Sequence, residues 1–241
     1  MNMTRNTFCV VGATRGTGLQ IATQLLQRGS KVRVVARNPR KASQLLGPQS
    51  EVIDGDVTAP GSLGAAINAA CQAIFYAVDV SNGIAGRGLF SSVSLIRDVT
   101  YQGLVNVVET AKANGFRGRI VLLSGIGCDR LSLAGMVLNA VKGNLQKNMV
   151  DREQYLKHSG LDYVVCRGAI LTDEPLGQQR IQITAPIHSL SPRRKLARAD
   201  FARVLIAASE LPAASRKIYD VFGVRGISNS DQDIAHGLQH L

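Results

Sequence analysis

Short apolar runs alternate with longer amphipathic segments along most of this chain. The runs predict strands at Thr7–Val11, Lys31–Ala36, Glu51–Asp54, Ala73–Ala77, Arg119–Ser124, Tyr163–Cys166, Arg180–Thr184 and Lys217–Phe222. Apolar residues at helical spacing predict helices at Thr17–Arg28, Arg40–Leu46, Ser62–Ala70, Ser94–Asn114, Met136–His158 and Asp200–Ser209. Because strands and helices alternate, the pattern predicts an α/β fold with a doubly wound parallel sheet that is covered by helices on both faces.

The chain is interpreted as one domain that spans residues 1–241. It has no repeat, low-complexity segment or linker, and its length suffices for a single α/β core. After Arg167 the pattern loosens and several prolines interrupt it. We expect residues 168–198 and 223–241 to form a cover on the substrate side and a tail.

A glycine-rich turn follows the first strand and leads into the first helix. Gly12 can make the tight turn, Gly16 lets the backbone approach a diphosphate, and Gly18 lets the helix pack against the strand. The free N–H groups at the start of the helix then face the phosphates. The other turn residues that we expect to contact such a ligand are Thr14, Arg15 and Thr17. The turn predicts a dinucleotide site; the alternative is an ordinary strand–helix turn without a ligand.

The second strand ends in Arg37, where NAD-preferring folds carry an acidic residue. A carboxylate would repel a 2′-phosphate, whereas a guanidinium can bind it in a fork. Arg15, Arg40 and Lys41 add further positive charge nearby. The sequence therefore predicts NADP(H) as the cofactor, and the alternative is a solvated basic loop.

The overall charge is consistent with an anionic small-molecule ligand. The chain has 28 Lys and Arg against 17 Asp and Glu, a net charge of +11. These charges are dispersed except around Arg193–Lys195, and no platform of aromatic and basic strand residues is visible, which argues against nucleic acid as a partner. No apolar run is long enough to span a membrane and no signal-peptide pattern precedes the first strand. We therefore expect a cytoplasmic protein without a membrane partner.

The four cysteines are scattered without metal-type spacing. Cys9 and Cys166 lie inside apolar strand patterns, which predicts buried thiols. We expect neither disulfides nor a metal site.

In this order, the features resemble the short-chain dehydrogenase/reductase superfamily, and most closely its small atypical NAD(P)H-binding branch, which includes flavin-reductase-like and NmrA-like proteins. The resemblance runs from Cys9 to about Phe222. Its motifs, besides the glycine turn and Arg37, are Gly55–Val57, Phe75–Ala77, Val99–Gly103 with Asn106, Leu122–Ser124, Ser159–Tyr163, Arg167–Ala169 and Ala199–Ala202. It implies a Rossmann fold and an NADPH-dependent oxidoreductase, monomeric or homodimeric, that acts on a small planar or hydrophobic acceptor.

The resemblance also assigns residues to the cofactor. Asp56 would accept a hydrogen bond from the adenine amino group, and the backbone amide of Val57 would contact the ring. Asp54 is an alternative for this acid, and the alternative role of Asp56 is to cap the turn at Thr58. The other positions that the resemblance assigns to the cofactor are Ala77, Val78, Gly168 and Ala169.

The catalytic set departs from the better-known members. They place a serine after strand five, then a tyrosine, and a lysine four residues later on the next helix, where the lysine lowers the pKa of the tyrosine. Ser124 matches the serine, but the helix has no such pair. Counting from the flanking motifs places the expected positions on the face of Leu138, Lys142, Leu145 and Met149, where only Lys142 is polar.

Ser124 and Lys142 are therefore the catalytic candidates, and Lys142 would also hold the cofactor. Ser124 would orient the acceptor or the nicotinamide amide; the alternatives are a strand-end hydroxyl that satisfies a loop and a solvated lysine. Without the tyrosine, we expect acceptors whose protons come from water. His188 is the only histidine that the sequence places near a substrate.

Two other function classes stay open. One is a non-redox isomerase, cyclase or epimerase on the same fold, and the other is a nucleotide-binding regulator or assembly factor without turnover. The glycine-rich segment 81–88 could be a lid or a surface connection.

Overall fold

The structure is a computed structural model that describes residues 6–78, 92–129, 144–189, 191 and 193–241. Its strands are β1 (Thr7–Val11), β2 (Lys31–Ala36), β3 (Ser50–Asp54), β4 (Cys71–Tyr76), β5 (Arg119–Gly125), β6 (Asp162–Gly168), β7 (Ile170–Thr172), β8 (Arg180–Thr184), β9 (Lys195–Ala197) and β10 (Lys217–Val224). Its helices are α1 (Gly16–Gln27), α2 (Pro39–Leu46), α3 (Val93–Arg97), α4 (Gly103–Ala113), α5 (Leu145–Lys157), α6 (Arg198–Glu210) and α7 (Asp231–Gln239).

The strands form one sheet in the order β3-β2-β1-β4-β5-β6-β10-β9-β7, and β8 pairs with β10. Neighbours from β3 to β10 run parallel, whereas β8 and β9 are antiparallel to β10. Phe8 and Val10 face the layer of α1, α2, α6 and α7, while Cys9 and Val11 face α3, α4 and α5. The predicted doubly wound α/β fold is confirmed, because each face of the sheet carries its own buried apolar layer.

The predicted helix at Ser62–Ala70 is wrong. Only a 3-10 turn at Pro60–Ser62 forms, and bends and turns follow it. Leu63, Ala66 and Ile67 are buried, which produced the apolar periodicity without helical backbone. The side-chain amide of Asn114 donates instead to the carbonyls of Gly64 and Ile67, at 3.2 and 2.6 Å.

The predicted helix at Ser94–Asn114 is interrupted. A π-helical turn at Asp98–Gln102 separates α3 from α4. Such π turns occur frequently at functional sites. The part of the predicted helix Met136–His158 that precedes α5 lies outside the described residues, except for Asn144.

The C-terminal third is more ordered than the sequence indicates. The strands β7 and β9 were not predicted, and α7 replaces the expected tail. Ser230 and Asp233 form a reciprocal capping box at the start of α7, and Ile234 and Leu238 are buried in the core. Within the described part of the chain, no helix is long and apolar enough to cross a membrane.

Candidate functional site

A cleft lies at the carboxyl ends of the parallel strands, where the sheet order reverses between β1 and β4. Most of the residues that the sequence assigns to a dinucleotide line it: Gly12, Thr14, Arg15, Gly16, Thr17, Arg37, Asp56, Val57, Ala77 and Val78. Apolar side chains from Val35, Val99, Leu123 and Leu171 complete its walls. The fold therefore brings together segments of the chain that are far apart in sequence.

The glycine turn has the backbone geometry of a phosphate site. Gly12 adopts φ +95°, and a Cβ there would lie 2.9 Å from the carbonyl oxygen of Ala77. A Cβ on Gly18 would clash with the carbonyl of Gly12, which explains the close packing of α1 on β1. Gly16 adopts φ +55°, and among the described residues outside its own turn a Cβ there would meet the Arg198 side chain, at 3.6 Å. Gly16 thus lines the cleft with Arg198 as its nearest neighbour from another segment.

The start of α1 adds a favourable field for an anion. Its first turn holds no acidic residue, and the N-cap Arg15 makes no side-chain capping hydrogen bond. The first N–H groups of a helix have no partner within the helix, and its N-terminus carries a partial positive charge.

Arg37 and Asp56 face each other at the far end of the cleft. The Arg37 side chain is 60% exposed, and its Nε lies 4.0 Å from Oδ2 of Asp56. Oδ1 of Asp56 accepts from the amide and the hydroxyl of Thr58, each at 2.9 Å. The turn cap that the sequence left open as an alternative does form through Oδ1. The other oxygen of Asp56, Oδ2, faces the Arg37 guanidinium. The guanidinium remains accessible to a phosphate.

Arg37→Ala is expected to weaken NADPH binding by about ten- to a hundredfold, because one charge-assisted phosphate contact is lost. NADH binding should stay unchanged, since NADH has no 2′-phosphate. Calorimetric titration with both dinucleotides measures the ratio, and Arg40→Ala is a matched control four residues beyond the end of β2, on α2. An unchanged preference in Arg37→Ala would remove this residue from the cofactor site.

Ser124 does not line the described cleft. Its side chain is buried, and its hydroxyl donates to Oε1 of Glu153 on α5 at 2.6 Å. Even-numbered positions of β5 such as Ile120 and Leu122 face the same layer as α5, whereas Leu123 faces the cleft. Ser124 thus sits at the end of its strand, but its hydroxyl bonds a helix carboxylate rather than the loop that the sequence left as an alternative.

Ser124 belongs to a buried ionic network that the sequence analysis missed. Arg167 donates to both carboxylate oxygens of Glu153, at 3.1 and 2.6 Å, and to Asp129 at 2.7 Å. His188, the histidine singled out by sequence, lies 2.7 Å from the same Asp129 oxygen. These residues sit behind the carboxyl ends of β5 and β6. They connect the segment before β9 to the sheet.

The network also shifts pKa values. Burial opposes ionisation of Asp129, but hydrogen bonds and charge from Arg167 and His188 outweigh it and hold the Asp129 pKa below its usual value. Burial would lower the pKa of Arg167, yet Glu153 and Asp129 raise it above its ordinary range. Burial and the neighbouring Glu153 raise the pKa of the Cys128 thiol to about 12. Arg167 is therefore a permanent cation and Cys128 an inert thiol.

None of the five tyrosines lines the cleft, and all five lie in the described residues. The hydroxyls of Tyr76 and Tyr219 donate to the carbonyls of Val99 and Leu238. Burial raises the pKa of Tyr76 and Tyr163, and it raises that of Tyr219 to about 12. Burial and a hydrogen bond to Glu109 also raise the pKa of Tyr155. A catalytic phenol needs the opposite shift.

Three further assignments lie away from the cleft or outside the described residues. A Cβ on Gly168 would lie 2.7 Å from the Phe201 ring, so this glycine serves packing. The buried Ala169 donates its amide to Val221 at 3.0 Å. Lys142 lies outside the described residues, as do Leu138 and residues 81–88. Leu145, on the same predicted face, is buried in the core beside α4.

The sequence also missed two charged residues of the cleft. Asp173 follows β7, Arg198 begins α6, and their side chains pair at 2.8 Å. The basic stretch before α6 was the only signal for Arg198, and nothing in the sequence indicated that it would reach the glycine turn. Both cysteines predicted to be buried thiols, Cys9 and Cys166, are fully buried and free.

A family model described as NAD(P)H-binding matches residues 12–212. The chain belongs to this NAD(P)H-binding family. An uncharacterized chloroplastic protein of Arabidopsis thaliana is 30% identical over 178 residues, which cover 70% of this chain and 60% of that protein. The photosystem II assembly factor Ycf39 of Synechocystis is 25% identical over 229 residues, covering 90% of this chain and 62% of the factor. The chain thus spans about three fifths of these relatives.

Solved structures show the same fold. The oxidoreductase ylbE of Lactococcus lactis superposes with a TM-score of 0.76 at 16% identity, covering 98% of this chain and 96% of that one. ChuY, an anaerobillin reductase of Escherichia coli O157:H7, superposes with a TM-score of 0.72 at 21% identity, covering 90% of this chain and 96% of that one. A Veillonella parvula short-chain dehydrogenase/reductase in complex with NADP superposes with a TM-score of 0.69 at 15% identity, covering 94% of this chain and 97% of that one. The resemblance stated from the sequence is confirmed for family and fold.

Proposed function

We propose that this chain is an NADPH-dependent reductase whose acceptor is planar or hydrophobic and takes hydride without a proton from an enzyme phenol. The observation that carries the proposal is the combination of a glycine turn open to a diphosphate with a cleft that no tyrosine lines. The similarity to ChuY, an anaerobillin reductase, and to the Veillonella structure in complex with NADP supports the same class.

The residues of the cleft divide the work of holding the cofactor. The α1 N-terminus and Gly16 receive the diphosphate, and Arg37 receives the 2′-phosphate. NADPH supplies the hydride when bound. Leu123 and Leu171 form an apolar wall at the end of the cleft away from Arg37. A planar acceptor can lie there against the nicotinamide and displace water from the wall.

An acceptor panel tests the proposal. We expect NADPH oxidation with at least one flavin, quinone or linear tetrapyrrole, and little with simple ketones or aldehydes. Absorbance of the reduced nicotinamide follows turnover. Efficient ketone reduction would contradict the argument from the tyrosines, and failure of NADPH to bind would refute the proposal altogether.

Ser124→Ala separates a chemical from a structural role of the serine. Because the hydroxyl is buried against the Glu153 carboxylate, we expect the kcat for the active acceptor to stay within about threefold. The free energy of unfolding should fall by about 1.5–3 kcal/mol, the range for a hydrogen bond to a charged group. A loss of kcat without loss of stability would instead return Ser124 to the reacting groups. Denaturant unfolding and steady-state kinetics on one preparation supply both numbers.

A second candidate is an NADP(H)-binding assembly factor without turnover. The relation to Ycf39, which extends over 90% of this chain, favours it specifically. Tight NADPH binding with no oxidation across the whole acceptor panel would select this candidate over the reductase.

A further inference from the structure

Asp173 and Arg198 occupy equivalent positions after β7 and β9, the two strands at one end of the sheet, which we call the ribbon. β7 and β9 pair in parallel, and the last registered pair is Thr172 with Ala197. The next residue of each strand is Asp173 and Arg198, so the strand register sets these two side chains beside each other. Arg198 Nη1 lies 2.8 Å from Asp173 Oδ1.

The ribbon directs Arg198 at the glycine turn. The Nε and Cδ of Arg198 lie 3.6 and 3.7 Å from the place of a Cβ on Gly16. Apart from the chain neighbours and the backbone of α1, no other heavy atom of the described residues lies within 4 Å of that place. Both members of the ion pair line the cleft. The Arg198 side chain is 23% exposed, whereas Asp173 is 88% exposed. The cation is therefore mostly covered by the protein, whereas its carboxylate partner is exposed to solvent.

We propose that Arg198 binds the diphosphate of the dinucleotide and that Asp173 holds the guanidinium in the cleft until the diphosphate replaces it. The proposal rests on the dinucleotide site of the proposed function and adds a cation from the other end of the chain. An ion pair with one exposed partner contributes little, so Asp173 is exchanged at small cost. A diphosphate offers two negative charges and several acceptor oxygens to the same guanidinium.

This exchange links the cofactor to the substrate side. Leu171 lies on β7 two residues before Asp173, and it lines the cleft with Leu123. A diphosphate held by Arg198 is thus bonded to the ribbon that carries one apolar wall of the acceptor site.

Binding of NADPH, NADH and ADP-ribose to Arg198→Ala tests the role of the cation. ADP-ribose carries the diphosphate but neither the 2′-phosphate nor the nicotinamide. We expect all three affinities to fall by the same factor, about ten- to a hundredfold. Arg193→Ala is the matched control, because it removes the same charge from the same segment and Arg193 does not line the described cleft. It should change each affinity by less than about twofold.

Asp173→Asn tests the exchange. We expect it to tighten all three ligands by about two- to fivefold in the unaltered chain and to have no effect in the Arg198→Ala background. Equal tightening in both backgrounds would show that Asp173 acts by direct repulsion, and it would overturn the exchange.

The other outcomes overturn the assignment of Arg198. A loss confined to NADPH would place Arg198 at the 2′-phosphate, and unchanged binding of all three ligands would make the residue structural. If the unaltered chain binds ADP-ribose but no reductase activity is found, the proposed function fails while this assignment stands. Circular dichroism and thermal unfolding confirm that each variant is folded.

Discussion

Gly16→Val is expected to reduce NADPH binding below detection while the chain stays folded. Gly16 adopts φ +55°, and the space beside it opens to the cleft. A branched side chain there would occupy the volume of the phosphate and hold the turn N–H groups away from it. Titration calorimetry or quenching of nicotinamide fluorescence measures the loss, and circular dichroism reports the fold.

Gly29→Val is the matched control for backbone strain. Gly29 adopts φ +77° at the end of α1, and a Cβ there meets nothing within 4 Å. Each substitution places a β-branched residue in the left-handed region, which costs about 1–2 kcal/mol. Both variants should therefore lose similar stability, but only Gly16→Val should lose the dinucleotide. Normal NADPH binding by folded Gly16→Val would show that the turn is not a phosphate site.

The sequence predicted the features of this cleft that are local along the chain. The glycine turn and Arg37 each lie directly after a strand whose apolar run is unambiguous, and parallel strands bring their carboxyl ends to one edge. The positions of Gly16 and Arg37 in the cleft therefore followed from counting along the sequence. The fold class followed from the same alternation of strands and helices.

Features that depend on long-range pairing were not predictable. Arg198 reaches Gly16 because β7 and β9 pair, and both strands are only three residues long. In the sequence, nothing distinguishes Glu153 from other polar helix residues. Its partner Arg167 is brought next to it only when β6 joins the sheet. At Ser62–Ala70 the apolar spacing was real, but Asn114 supplies the hydrogen bonds that a helix would have made. Tertiary contacts decided all three cases.

Glu153→Ala is expected to lower the free energy of unfolding by about 3–5 kcal/mol. The side chains of Glu153 and Arg167 are each only 3% exposed, and the carboxylate also accepts from Ser124 and Cys128. Its removal leaves a buried guanidinium with Asp129 as its remaining acidic partner among the described residues. Since small domains are stable by about 5–15 kcal/mol, this loss is a large fraction of the total. Chemical denaturation measures it.

Glu51→Ala is the matched control, because Glu51 pairs with Arg33 but is 59% exposed. Loss of that pair should cost about 0–1 kcal/mol. The double variant Glu153→Leu with Arg167→Met should recover most of the stability lost in Glu153→Ala, since an apolar pair leaves no buried guanidinium behind β5 and β6 and Asp129 keeps its contact with His188. If the double variant is as unstable as Glu153→Ala, the cost arises from lost packing around Ser124 and Cys128 rather than from the stranded Arg167 cation.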